Sequence, residues 1–293
     1  MTDTGGEPMK RIYLDHNATT PIHPEVFEAM MPYMTHQFGN GSSIHSYGRE
    51  ARNAIDTARE QVAELIGAKS PSEIVFTSGG TESDNHAIKG FAELQRSRNG
   101  GNRIITSSVE HHAVLHTCQY LEKRGFDVTY LPVDGYGRIQ IDDLRAAIRD
   151  TTILISIMYA NNETGTIEPI EKVCHVAQEH RIIVHTDAVQ AVGKLPVNVQ
   201  ELGVNLLSLS AHKFYGPKGI GALYNRRGTR LENLIHGGSH ERNRRAGTEN
   251  VPAIVGIGKA AELARKNREA DVAHLNRLTG KLQAGLHERL DYL

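Results

Sequence analysis

Short apolar runs alternate along the chain with longer stretches in which apolar residues recur every three or four positions. The runs at 73–77, 103–107, 127–131, 152–159, 182–186, 205–209 and 219–224 predict strands, and several are nearly all apolar, as in a sheet covered on both faces. The stretches 49–66, 82–98, 113–124, 141–149, 170–180 and 253 onward predict helices. Such alternation implies an α/β protein with a mainly parallel sheet. Ligands of such sheets bind beyond the carboxyl ends of the strands. The residues that follow each run are therefore where chemistry is to be sought.

After 73–77 comes SGGTESDNHAI. Gly79 and Gly80 allow a tight turn, and Thr81 is placed to cap the next helix. Free amides at a helix start, with a hydroxyl beside them, make an anion site, although an ordinary capped turn reads the same way. After 103–107, His111 and His112 open a helix. His112 and His116 have metal-ligand spacing, yet no nearby carboxylate or cysteine completes a set. A ring at the strand end could stack on an aromatic ligand or simply cap the helix. Asn161, Asn162 and Gly165 follow 152–159 and suit a turn, while their amides could hold a ligand oxygen. Asp187 follows 182–186, with Gln190 one turn on; it is either a helix cap or a carboxylate that meets a cation. Ser210, His212 and Lys213 follow 205–209.

Each of these has an ordinary explanation alone. On one sheet edge they form a set: an anion cradle (Gly79, Gly80, Thr81, Ser210, His212), an aromatic platform (His111), a buried carboxylate (Asp187) and an amine (Lys213). Pyridoxal 5'-phosphate needs all four. It bonds covalently to a lysine, carries a dianionic phosphate, and draws electrons through a ring nitrogen that must stay protonated. A carboxylate beside that nitrogen raises its pKa.

Composition narrows the setting. Lys and Arg number 33 against 34 Asp and Glu in 293 residues, so the net charge of −1 gives no sign of nucleic acid or an anionic membrane as partner. No apolar run is long enough to span a bilayer, and MTDTGGEPMKRIYLD lacks the apolar core of a signal peptide. Two cysteines, Cys118 and Cys174, form no CxxC, which favours a reducing, cytoplasmic setting. Both fall on predicted helices, where burial is expected. The 16 histidines are scattered, and no metal is expected. GIGKAA at 256–261 imitates a dinucleotide loop but leads into a helix with no βαβ partner.

The motifs YLDHNATTP, FTSGGTESDNHAIKG, EHHAVL, NNETG, HTDAVQAVGKLP, AHKFYGPKGIGALY and GGSHERNRRAGTENVPAIVG occur in that order between residues 13 and 256. In this they resemble the NifS/IscS-like cysteine desulfurases, class-V aminotransferases of fold type I. The resemblance implies a fold type I PLP-dependent transferase with a mainly parallel seven-stranded sheet flanked by helices. It implies a large cofactor-binding domain at 16–260, a segment 1–15 packing on a small domain, and 261–293 as the start of that incomplete small C-terminal domain. Lys213 resembles the Schiff-base lysine, Asp187 the partner of the ring nitrogen, and His111 the stacking and proton-shuttling histidine. Gln190 and Asn162 correspond to ligands of the phenolic oxygen, and Gly80, Thr81, Ser210 and His212 to phosphate ligands. Thr248 matches a phosphate ligand supplied by the other subunit of a homodimer.

The implied activity converts L-cysteine to L-alanine and passes sulfur as a persulfide to an iron–sulfur scaffold or other sulfur-acceptor protein. The family's persulfide cysteine and its carboxylate-gripping arginine correspond to a region beyond Leu293. The chain is thus expected to be C-terminally truncated relative to the family, and neither Cys118 nor Cys174 matches that nucleophile. The alternatives are a selenocysteine lyase, another class-V aminotransferase, or a non-catalytic PLP-binding scaffold.

Overall fold

Seven strands lie in one sheet, in the order β1-β7-β6-β5-β4-β2-β3. The structure, a computed structural model, describes residues 11–291, so most of the segment 1–15 lies outside the described residues. The chain runs α1 (Pro24–Thr35), α2 (Ser46–Leu65), β1 (Ile74–Thr77), α3 (Gly80–Asn99), β2 (Arg103–Ser107), α4 (His112–Glu122), β3 (Asp127–Leu131) and α5 (Ile141–Ala147). It continues through β4 (Thr152–Ser156), α6 (Ile170–Glu179), β5 (Ile183–Asp187), α7 (Val199–Leu202), β6 (Leu206–Ser210), β7 (Gly221–Asn225), α8 (His240–Asn243) and α9 (Val251–His287). Only β7 runs against its neighbours; β1, β2, β3, β4, β5 and β6 all point one way. Their carboxyl ends therefore share one edge.

The strands feed two cores because successive side chains face opposite ways. Ile105, Ile155 and Leu207 join α1, α2, α5, α6 and α9 on one face. Ile104 and Leu154 join α3 and α4 on the other, and Leu206 joins α3 there in a smaller cluster. The predicted run 152–159 is a strand only to Ser156. Beyond it Tyr159 still donates to the Asp187 carbonyl at 2.8 Å before the chain turns at Ala160. The sequence reading missed α1, whose Pro24 at the first turn and internal Pro32 obscure a helical pattern. Its start is fixed by His23, whose ring nitrogen accepts from the Glu25 amide at 3.2 Å.

The glycines of GIGKAA serve packing. A Cβ on Gly258 would lie 2.6 Å from the Ala58 Cα, and one on Gly256 would lie 2.7 Å from the Met30 sulfur. Bare backbone there lets α9 press onto α1 and α2. The division expected at 260/261 falls within α9, whose buried residues end at Leu263. Farther on, Leu275, Leu278, Leu282 and Leu286 are exposed. Among the described residues no helix is long and apolar enough to cross a membrane.

Strand β1 closes the sheet on one side, and its free edge is covered by charge instead of another strand. Arg59 donates to the Ile74 carbonyl at 2.8 Å, and Glu241 accepts from the Phe76 amide at 3.0 Å. The two side chains grip each other through paired contacts of 2.7 Å, at 3% and 5% exposure. This anchor holds α8, a single turn in which Glu241, Arg242 and Asn243 all have positive φ, a conformation costly for residues with side chains. Glu241→Ala leaves Arg59 buried and unpaired, so an unfolding free energy lower by roughly 3–5 kcal/mol is expected in urea denaturation. An effect below about 1 kcal/mol contradicts this role.

Candidate active site

A cavity of about 690 Å³ opens at the carboxyl edge of the sheet. Gly80, Thr81, His111, Asn162, Asp187, Gln190, Ser210, His212 and Lys213 all line it. Thr248 does not; it is exposed in the loop between α8 and α9. Asp15, Asn17, Ala18 and Asp84, which the sequence reading did not assign, also line the cavity.

One wall is the start of α3. Gly79 has φ +154, and a Cβ on Gly221 of β7 would lie 2.7 Å from the Gly79 carbonyl carbon. The turn therefore presses directly on the sheet. A Cβ on Gly80 would meet Val189 at 2.7 Å. Thr81 was expected to cap the helix, but it lies inside it: the cap is Gly79, which has no side chain to offer. The first-turn amides of α3 thus keep their capacity for an external acceptor. Together with the positive end of the helix dipole they suit an anion. Buried Ser210 and half-buried His212 flank this wall. Burial, aided by Lys213 and Lys218, pushes the His212 imidazole down.

The floor carries Asp187 at the end of β5, 6% exposed, accepting from the Val189 amide at 2.9 Å. Burial pushes its carboxyl up, while the Val189 amide, His111 and Lys213 pull it back. Lys213 follows β6. Burial lowers its ammonium, against the pull of Asp187 and Asp15, so more of it is free amine than in water. The segment before α1 straps across this lysine. Lys213 Nζ donates to the carbonyls of Asn17 and, at 3.0 Å, Ala18. Thr20 donates to the His212 carbonyl at 3.0 Å and accepts from the Tyr215 amide at 2.8 Å. Gln190 donates to the Asn17 carbonyl at 2.9 Å, and Lys194 donates back to Gln190 at 2.7 Å.

His111 caps α4. Its Nδ1 accepts from the Ala113 amide at 3.1 Å, which fixes the ring and leaves Nε2 as the other nitrogen. The capping and ligand readings of this residue are thus compatible. The asparagine pair divides its tasks: Asn161 staples the turn, accepting from the Glu163 and Thr164 amides at 2.8 and 3.0 Å. Asn162 lines the cavity and donates to Glu163 at 2.7 Å. The two cysteines are buried outside the cavity, and burial pushes both thiols up to about 12. Among the described residues no cluster of three or more His, Cys, Asp or Glu side chains is arranged to hold a metal.

The fold and site therefore define a mainly parallel α/β protein with a lysine-bearing cavity at the carboxyl edge of its sheet. The chain belongs to the class-V aminotransferase family, whose sequence profile matches residues 12–293. It is 61% identical over 271 residues to the cysteine desulfurase IscS of Dictyoglomus turgidum, covering 92% of this chain and 68% of that one. Among solved structures, a NifS-like protein superimposes with a TM-score of 0.92 at 44% identity, covering 95% of this chain and 76% of the other. SspA in complex with cysteine gives a TM-score of 0.82 at 48% identity, covering 85% of this chain and 72% of the other.

Behind His111, Glu110 is buried and accepts from Ser107 Oγ at 2.7 Å and the Met158 amide at 2.9 Å. Burial pushes its carboxyl up to about 8 from 4.5. The folded protein thus holds a proton that the unfolded chain releases, and that contribution is lost as pH rises from 4.5 through about 8. Glu110→Gln keeps both hydrogen bonds and removes the titration. Relative to the unsubstituted protein, its stability should rise by roughly 3–5 kcal/mol between about pH 5 and pH 8.5 in urea unfolding. Parallel pH profiles of the two proteins contradict this.

Proposed function

We propose that this chain is a pyridoxal-phosphate-dependent cysteine desulfurase that converts L-cysteine to L-alanine and passes the sulfur on as a persulfide. Iron–sulfur cluster assembly through a scaffold or other acceptor protein is the destination that best suits this reading. The observation that carries it is the convergence of the Lys213 amine, the Asp187 carboxylate and the uncapped start of α3 on one cavity. The cysteine desulfurase relatives, and the cysteine bound to SspA, favour cysteine as substrate.

In this reading Lys213 offers its partly deprotonated amine to the cofactor aldehyde. Gly80, Thr81, Ser210 and His212 hold the phosphate, joined by Thr248 of a second copy in a homodimer. Asp187 pairs with the ring nitrogen, His111 covers the ring and exchanges protons through Nε2, and Asn162 and Gln190 face the phenolic oxygen. When bound, the cofactor supplies the electron sink that weakens the substrate carbon–sulfur bond. The large domain spans 16–260, with 261–293 opening a small domain; the end of burial on α9 at Leu263 fits that division. Two free, buried cysteines suit a reducing cytoplasm. Neither is placed to take sulfur from the cavity, so the accepting thiol comes from elsewhere.

The test is release of sulfide and alanine from L-cysteine, with pyridoxal phosphate and a small thiol supplied. Matched amounts are expected, falling about 10³-fold or more in Lys213→Ala. Accumulated pyridoxamine phosphate points instead to an aminotransferase, and much faster release from selenocysteine to a selenocysteine lyase. Bound cofactor without product identifies a scaffold.

A further inference from the structure

Behind the cavity runs a buried polar line that the reading above does not use. Ser156 on β4, His185 on β5 and Ser208 on β6 are each 0% exposed. His185 Nδ1 lies 2.9 Å from Ser156 Oγ, and Nε2 lies 3.0 Å from Ser208 Oγ. The line ends at Asp84, one turn into α3 from Gly80, whose Oδ1 lies 3.6 Å from His185 Nε2. Asp84 is 1% exposed and lines the same cavity as Asp187. Its Oδ1 has no hydrogen-bond partner.

Two carboxylates buried side by side do not both ionise. The surroundings decide which one carries the proton. Asp187 receives the Val189 amide and faces Lys213 and His111. Asp84 faces Asp187 and Glu110, with only the Ser208 hydroxyl in its favour. The neighbouring His185 offers no charge, because burial drives its imidazole down to about 3. Burial and Asp187 together push the Asp84 carboxyl well up.

We propose that Asp84 is a positioning residue of the cofactor site: as a neutral carboxylic acid held at the end of the Ser156–His185–Ser208 line, it keeps the negative charge of the carboxylate pair on Asp187. The single charge then lies on the residue assigned to the ring nitrogen. This last link rests on the proposed function, whereas the protonation of Asp84 does not.

Infrared spectra of the cofactor-free protein near neutral pH test the protonation. The difference between the unsubstituted protein and Asp84→Asn should contain a protonated-carboxyl band, and the difference with Asp187→Asn an ionised one. The reverse assignment overturns the proposal. In the loaded protein, Asp84→Leu should weaken pyridoxal phosphate binding about tenfold and shift the pH midpoint of its absorbance. Asp84→Asn, which keeps a neutral hydrogen-bonding group, should restore most of both. Loss in Asp84→Asn as large as in Asp84→Leu, or no change in either, overturns the positioning role. If Asp84→Leu does not fold, the infrared assignment and the Asp84→Asn midpoint decide. If the unsubstituted protein takes up no pyridoxal phosphate, the functional reading falls, and the infrared spectra alone decide where the proton sits.

Discussion

The fold buries one charge at the end of a central strand, and the site is built around that constraint. Asp187 closes β5 with 6% exposure. A carboxylate there is costly unless dipoles and cations compensate it. The Val189 amide, His111 and Lys213 do so from the cavity side. From the protein side, buried Asp84 and the uncharged His185 supply no cation that would quench it. The charge is left facing the cavity, where a cationic ring nitrogen is its natural complement.

A second constraint is how closely backbone can approach the cavity. A Cβ on Gly80 would strike Val189 and one on Gly221 would strike the Gly79 backbone, while Gly79 itself is held to glycine by its positive φ. That closeness brings the first turn of α3 to the same edge as Lys213. The strap at residues 15–20 then ties the lysine from above with carbonyl oxygens. Burial keeps its basicity lowered, outweighing Asp187 and, in the same strap, Asp15, which pull the ammonium's pKa up.

Much of this was legible in the chain. Strand runs with apolar residues on both alternating positions announce a sheet covered on both faces, and β2, β4 and β6 each feed both cores. Lys213, Asp187, Ser210 and His111 were legible as cavity residues because Asp187 and Ser210 close β5 and β6, and His111 and Lys213 come within four residues of a strand's end. What escaped depends on contacts distant in sequence. The Asn17 and Ala18 carbonyls act through backbone, which no side-chain pattern reveals. Asp84 reads as the polar side of a helix and is buried only because α3 lies on β6. Thr81 looked like a cap because its hydroxyl sits near the helix start, but the helix begins earlier, at the glycine. The pairing of α2 with α9 likewise rests on small residues, Ala58 and Gly258, far apart in the chain.

The central claim is that Lys213 is the covalent anchor. Lys194 is a nearby competitor, since burial and the charge of Lys213 push its ammonium down to about 8. The most direct measurement is to saturate the protein with pyridoxal phosphate, reduce the adduct with borohydride, and map the labelled peptide. One label per chain is expected, on Lys213. A label on Lys194, or none on either lysine, contradicts it.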